Sequence, residues 1–142
     1  MNSIGLVELS SIATGFQVAD IMLKTSNVEL LLSRTICSGK FIVLIGGDVA
    51  EVSSSVERGI EHGDAAVIDS FTIPNVHPQV FDAIKAITKV DKLEALGIIE
   101  SFSVSSLIEA ADAAVKAANV NLIEIRLAMA LGGKAFVTLT GE

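Results

Sequence analysis

The chain has 142 residues, a formal net charge of −7 and 51% hydrophobic residues, which is enough for one domain of average size or two small ones. It has no Lys/Arg cluster, no Trp and no Tyr, so a nucleic-acid partner is not expected. The N-terminus shows no basic leader, no apolar run is long enough to span a bilayer, and one cysteine excludes an internal disulfide, so we expect a soluble cytosolic protein without a membrane partner.

An internal repeat organises the chain. Residues 4–34 align without gaps with residues 96–126, and ten of the 31 aligned pairs are identical. Beyond this stretch the second copy is longer by two residues, so that Gly39-Lys40 matches Gly133-Lys134. We therefore expect two domains, residues 1–90 and residues 91–142, of which the second is an incomplete copy of the first.

Local patterns in the first copy predict alternating strands and helices. The Ser38-Gly39 turn between two apolar runs indicates a hairpin. In chain order, the predicted elements are a strand at 4–9, a helix capped by Ser10, Ser11 or Thr14, strands at 28–36 and 40–45, a helix from Asp48 to His62, a strand at 65–71 and a short helix from Pro78 to Ala86.

This order of elements predicts the split βαβ or ferredoxin-like arrangement of the α+β class. Residues 88–93 link the two copies, and the second copy repeats only β-α-β-β. We therefore expect the second domain to be truncated at its C-terminus. A three-stranded sheet of this kind exposes one edge and one apolar face.

The repeated motifs resemble the signature of the bacterial microcompartment shell domain. Residues 4–8 (IGLVE) and 19–28 (ADIMLKTSNV) carry the resemblance, and they recur as residues 96–100 (LGIIE) and 111–120 (ADAAVKAANV). Residues 73–78 (IPNVHP) are similar to the segment before the family's last helix, although NV stands where the family usually has Arg-Pro. The resemblance covers nearly the whole chain and implies a structural shell subunit rather than an enzyme.

The chain is most similar in organisation to the tandem-domain subclass of that family, whose members form trimers that mimic single-domain hexamers. Residues 34–40 (RTICSGK) and 130–134 (ALGGK) resemble the subclass that carries an iron–sulfur cluster in the pore of propanediol-utilisation compartments, with serine where proline is expected. This resemblance implies a homotrimer located in a microcompartment. Its implied partners are other shell proteins and a redox enzyme inside the compartment. Its implied pore lining is Ile36, Cys37, Ser38, Gly39 and Lys40.

Cys37 is open to two interpretations. A lone cysteine beside a strand end is usually a small buried hydrophobe. However, Cys37 precedes a turn, and a trimer would bring three thiolates together, which can hold a [4Fe-4S] cluster with one iron open to another ligand. Because Met129 is the equivalent residue in the second copy, one cluster per trimer with Cys37 as the metal ligand is expected.

Lys24 and Lys116 recur at equivalent helix positions. They are interpreted either as solvated residues paired with Asp20 and Asp112, or, as the resemblance implies, as residues of the edge at which shell tiles meet. Glu8 and Glu100 are expected to have structural roles. His62 and His77 are expected to be surface or helix-cap residues, and no catalytic residue is predicted.

Three hypotheses follow. The first is a shell tile that transfers electrons through a cluster bound by Cys37. The second is the same tile with a metal-free pore for small metabolites. The third is a soluble ferredoxin-like regulatory module that binds a small ligand between subunits, which would remain a discrete oligomer where a tile would form sheets or tubes.

Overall fold

The computed structural model describes all 142 residues, which form two compact units, Met1–Val76 and His77–Glu142. The first unit contains β1 (Ser3–Leu9), α1 (Ile12–Thr25), β2 (Glu29–Ile36), β3 (Lys40–Gly47), α2 (Val49–Gly63), a short 3-10 turn (Asp64–Ala66) and β4 (Val67–Ile73). The second contains α3 (Pro78–Lys85), β5 (Ala95–Ser101), α4 (Val104–Ala117), β6 (Val120–Leu127) and β7 (Ala135–Gly141). None of the helices combines the length and apolar character needed to cross a bilayer.

The first unit has a four-stranded sheet with the order β2-β3-β1-β4, in which all neighbouring strands are antiparallel. In the middle of this sheet, Leu6 of β1 lies opposite both Leu44 of β3 and Phe71 of β4. This strand order confirms the predicted ferredoxin-like arrangement, because the hairpin β2–β3 places β3 beside β1 and α2 returns the chain to the free side of β1.

The core of the first unit lies between the sheet and the helices α1 and α2. Val7 of β1 packs with Val18 and Met22 of α1 and with Val52 of α2, and all four side chains are buried. Burying each such side chain contributes about 1.5–3 kcal/mol. This core holds β1 in the centre of the sheet and thereby fixes the base of the β2–β3 hairpin.

Helix α1 begins with the same cap as its repeat, α4. The Ser11 side chain accepts a hydrogen bond from the Thr14 backbone N–H, and Ser103 accepts one from Ser106. Such a cap stabilises a helix by about 1 kcal/mol. The predicted cap Asp48 does occupy the first position before α2, but its side chain makes no capping hydrogen bond.

The second unit has a three-stranded antiparallel sheet with the order β5-β7-β6. It reproduces the β1-β3-β2 part of the first sheet, with α4 in the place of α1. The second helix and fourth strand of the first unit have no counterpart here, so β5 is an edge strand. The predicted short second copy and its exposed edge are therefore confirmed.

Helix α3 belongs to the second unit, although its sequence continues the first copy. It packs against β6 and α4, and the Asp112 carboxylate accepts a hydrogen bond from the His77 backbone N–H at 2.8 Å. The Gln79 side chain accepts from the Leu122 N–H at 2.8 Å and donates to Asn121. The compact units of the structure therefore divide after Val76, so that residues 77–90, which continue the first copy in sequence, pack with the second unit.

Candidate functional site

The turn between β2 and β3 carries the only thiol in the chain. It consists of Cys37, Ser38 and Gly39; Cys37 is half-buried, and the other two residues are exposed. Gly39 has a φ of 68°, which is unfavourable for other residues, and no heavy atom lies within 4 Å of the position of a Cβ there. The turn therefore presents the thiol next to an open, sterically small hairpin tip.

The two predicted pore residues beside this turn have different surroundings. Ile36 is only 4% exposed, so in the single chain its side chain is part of the buried interior. Lys40 is half-buried and directs its Nζ to the Glu8 Oε1, at 2.7 Å. In one chain, the accessible part of the predicted pore lining is thus the segment from Cys37 to Gly39.

The Glu8–Lys40 ion pair was not predicted from the sequence. Glu8 lies on β1 and is 2% exposed, whereas Lys40 opens β3. The second unit repeats the pair, with 3.1 Å between Lys134 Nζ and Glu100 Oε1, but there both side chains are largely exposed. The signal that could have identified the pair is the recurrence of both residues in the two copies.

Arg34 is a third charged residue near the base of the turn. Arg34 and Glu8 both lie opposite Ile42, one on each neighbouring strand, so the two charged residues share one face of the sheet. The Arg34 Nε is buried and makes no hydrogen bond. The base of the turn therefore combines two cations with one buried carboxylate.

The equivalent turn of the second unit is longer and carries no thiol. Met129 occupies the position of Cys37 and is exposed. The backbone has positive φ angles at Ala128, Ala130, Gly132 and Gly133. The two turns therefore offer one cysteine per chain, and no group of three His, Cys, Asp or Glu side chains in the chain could hold a metal ion. A thiolate-ligated cluster would fit this arrangement only if several chains shared it.

The two predicted edge lysines both form ion pairs with the aspartate one helical turn earlier. Lys24 Nζ lies 2.7 Å from Asp20, and both side chains are exposed. Lys116 Nζ lies 2.5 Å from Asp112, which is buried and also accepts a hydrogen bond from the His77 N–H. Of the two, Lys24 has the side chain that is freer to contact a neighbouring molecule.

The two histidines lie at helix ends. His77 is the residue before α3, and its Nδ1 accepts a hydrogen bond from the Gln79 backbone N–H at 3.3 Å. His62 lies in the last turn of α2. The predicted cap role is confirmed for His77.

A four-stranded split βαβ sheet, followed in the chain by a three-stranded copy of its β1-β3-β2 part, defines a repeat protein of ferredoxin-like units. The BMC domain family matches residues 3–76 and 95–142. The chain therefore belongs to the BMC domain family and contains two such domains, the second of which is shorter.

The chain is similar to microcompartment proteins along almost its whole length and to a carboxysome shell protein over a shorter region. The bacterial microcompartment shell protein PduT of Citrobacter freundii is 44% identical over 140 residues, which are 99% of this chain and 76% of PduT. The crystal structure of a microcompartment protein from Desulfitobacterium hafniense is similar with a TM-score of 0.93 and 56% identity, and the match covers 100% of this chain and 79% of that one. The carboxysome shell protein CcmK2 of Synechocystis sp. is 37% identical over 59 residues, 42% of this chain and 57% of CcmK2.

These findings confirm the expected class and location. The chain is a shell subunit of a bacterial microcompartment, and its relatives are structural shell proteins.

Proposed function

We propose that three copies of the chain form a pseudohexameric tile in which the Cys37 turns surround a central pore and share one [4Fe-4S] cluster. The observation that carries this proposal is the position of the single thiol at the tip of the β2–β3 hairpin, one per tandem chain. The tile would have a structural role in the shell and conduct electrons through it, without catalysing a reaction of its own.

The number of domains and an uncovered apolar surface support the proposed trimer. Three tandem chains supply six domains, which a closed cyclic arrangement can place around one axis. On β5, Leu96 is 58% and Ile98 61% exposed, whereas their first-copy equivalents Ile4 and Leu6 are fully buried. Exposed apolar residues of this kind favour a contact with a neighbouring subunit.

Three Cys37 thiolates would each coordinate one iron of a cubane cluster and leave the fourth iron for water or another ligand. When bound, such a cluster accepts and releases single electrons. Ser38 and Gly39 are small and exposed, so they allow three turns to approach one axis closely. Glu8 holds the Lys40 ammonium at the base of the turn, which anchors the hairpin on β1.

The proposed partners meet the tile at different places. Other shell proteins would contact its edge, where Lys24 and Lys116 lie, and a redox enzyme inside the compartment would exchange electrons through the pore. The acidic net charge of −7 and the absence of a basic cluster support neither nucleic acid nor an anionic membrane as a partner.

The test compares the parent with Cys37→Ser and with Met129→Ser, which changes the equivalent residue of the second copy. Anaerobically purified proteins are assayed for iron, sulfide, visible absorption and molar mass by light scattering. We expect a trimer with about four irons per three chains for the parent and Met129→Ser, and an iron-free trimer for Cys37→Ser.

The other outcomes discriminate between the hypotheses. Iron retained in Cys37→Ser would refute the ligand assignment. An iron-free trimer of the parent, after anaerobic reconstitution, would leave the metal-free metabolite pore. A parent that stays a discrete oligomer and forms no sheets or tubes at high concentration would favour the regulatory module.

A further inference from the structure

A cavity of about 550 Å³ lies within the second unit, between α3, β6, β7 and the connecting segment formed by residues 87–94. Its volume is within the range of sites that bind small molecules. All of its lining residues belong to the stretch from Gln79 to Thr140, so a single unit of the structure builds the cavity.

The first unit has a smaller cavity at the equivalent place. That cavity has a volume of about 300 Å³, and Glu29 and Gly46 are among its lining residues. These two residues lie opposite each other on β2 and β3, as Asn121 and Thr140 of the large cavity do on β6 and β7. The end of this strand pair therefore leaves a cavity in both units, also where α2 is present, and the two cavities differ in volume and in lining.

Hydrogen bonds fix the walls of the large cavity. Gln79 Oε1 accepts from the Leu122 N–H at 2.8 Å, and Gln79 Nε2 donates to Asn121 Oδ1 at 3.0 Å. At the end of the connecting segment, the Glu94 N–H donates to Thr140 Oγ1 at 2.9 Å. The walls are therefore preformed, which lowers the entropic cost of binding a ligand.

One hydroxyl of the lining has no hydrogen-bond partner. Thr88 Oγ1 is buried and makes no hydrogen bond. A buried polar group without a partner is unfavourable, so its presence in a folded protein calls for an explanation. A polar ligand in the cavity supplies the partner when the Thr88 side chain turns by one rotamer step.

The charged side chains around the cavity do not neutralise one another completely. Lys92 and Glu94 are paired with each other. Lys89, Asp82 and Asp91 also line the cavity, and these three exposed side chains form no ion pair. They leave one positive and two negative charges for a ligand. The complementary ligand thus carries two positive charges and one negative charge.

Apolar side chains lie among these charges. Ile87 is 62% and Val90 43% exposed, and both belong to the connecting segment. Ile123 of β6 is half-buried and lines the same cavity. Exposed apolar side chains gain free energy when methylene groups of a ligand cover them. The lining therefore suits a ligand whose charged groups are separated by a hydrocarbon chain.

We propose that this cavity binds a basic amino acid, which combines two ammonium groups, one carboxylate and a chain of methylene groups. The ammonium groups of the ligand pair with Asp82 and Asp91, and its carboxylate pairs with Lys89. Its methylene chain lies against Ile87 and Val90. A diamine leaves Lys89 without a partner, and a neutral amino acid leaves one aspartate without one.

The test titrates the protein with L-lysine, 1,5-diaminopentane and L-norleucine. The diamine lacks the carboxylate of lysine, and norleucine lacks its second ammonium group. Calorimetry measures the affinities, and shifts of the backbone amide NMR signals locate the site. We expect saturable binding of L-lysine with shifts centred on residues 87–94 and Asn121, and binding of the two analogues about tenfold weaker or less.

Substitutions assign the charged groups. Asp82→Asn and Asp91→Asn should each weaken lysine binding about tenfold, because each removes the partner of one ammonium group. Lys89→Ala should weaken lysine binding and leave diaminopentane binding unchanged, so that the two ligands bind alike. Lys85→Ala and Glu109→Gln change exposed charges outside the lining, and as controls they should leave lysine binding within about twofold.

Thr88→Val separates the fold from the ligand. It removes the hydroxyl and keeps the shape of the side chain. Because the hydroxyl has no partner in the folded chain, the melting temperature should not fall. Lysine binding should nevertheless weaken about threefold or more, since the ligand loses one hydrogen bond.

Two results would overturn the proposal. One is no saturable binding of L-lysine to the folded protein. The other is binding of 1,5-diaminopentane as tight as that of L-lysine, together with unchanged lysine binding in Lys89→Ala, because the cavity would then recognise only the positive groups.

Discussion

Lys40 and Glu8 form an ion pair that joins the β2–β3 turn to the centre of the first sheet, with 2.7 Å between Nζ and Oε1. The carboxylate is almost completely removed from solvent, whereas the ammonium remains partly exposed. The pair therefore connects the turn of the candidate pore to β1, whose residues are all buried.

The repeat provides an internal control for the contribution of this pair to stability. We expect Glu8→Gln to lower the free energy of unfolding by about 2–3 kcal/mol, because it leaves the Lys40 charge without its buried partner. Glu100→Gln removes the exposed equivalent and should cost less than about 1 kcal/mol. Urea unfolding followed by circular dichroism measures both, and equal losses would show that burial of Glu8 is not decisive.

A second prediction concerns two equivalent core positions at which the large and the small side chain are interchanged between the two copies. In the first unit, a Cβ on Gly15 of α1 would lie 2.4 Å from the Phe41 ring, whereas the equivalent residues in the second unit are Leu107 and Ala135. Both arrangements are buried and combine one large side chain with one small one. Phe41→Ala should cost about 3–5 kcal/mol.

Adding Gly15→Leu to Phe41→Ala should restore at least about 1 kcal/mol of that loss, since the double variant copies the second unit. Gly15→Leu alone should be strongly destabilising because no space is available beside the ring. Thermal unfolding of the two single variants and the double variant gives the coupling energy. Additive losses would contradict the idea that the two positions exchange volume.

The third prediction compares Asp112 with its first-copy equivalent. Asp112 accepts hydrogen bonds from the His77 N–H and from Lys116, whereas Asp20 pairs only with Lys24 at the surface. Asp112→Asn should accelerate hydrogen exchange in α3 and lower stability by about 1.5–3 kcal/mol. Asp20→Asn should change stability by less than about 0.5 kcal/mol and leave exchange in α3 unchanged.

The fourth prediction tests the tile edge. Lys24→Ala should abolish or strongly reduce sheets and tubes seen by electron microscopy, because an exposed lysine is removed from the proposed contact. Its surface pair with Asp20 is worth about 0.5 kcal/mol or less, so the free energy of unfolding and the trimer mass should stay nearly constant. Lys89→Ala, which changes another exposed lysine, is the control. Unaltered sheets in Lys24→Ala would remove this residue from the edge.

The chain of elements and the repeat could be read from the sequence because they depend on local patterns. Alternating apolar residues marked β1, the group Ser10, Ser11 and Thr14 marked the start of α1, and Ser38-Gly39 marked the hairpin. Each signal acts over a few residues, through the period of two in a strand or the capping of a helix end. The same local signals predict that Cys37 lies at a turn.

The tertiary structure decided what depends on residues distant in sequence. Only the packing of α3 on β6 and α4 moved the division between the units to Val76. Only the register of β1 and β3 brought Glu8 to Lys40. These features arise from which elements become neighbours, and that is determined by the burial of whole faces rather than by any local pattern.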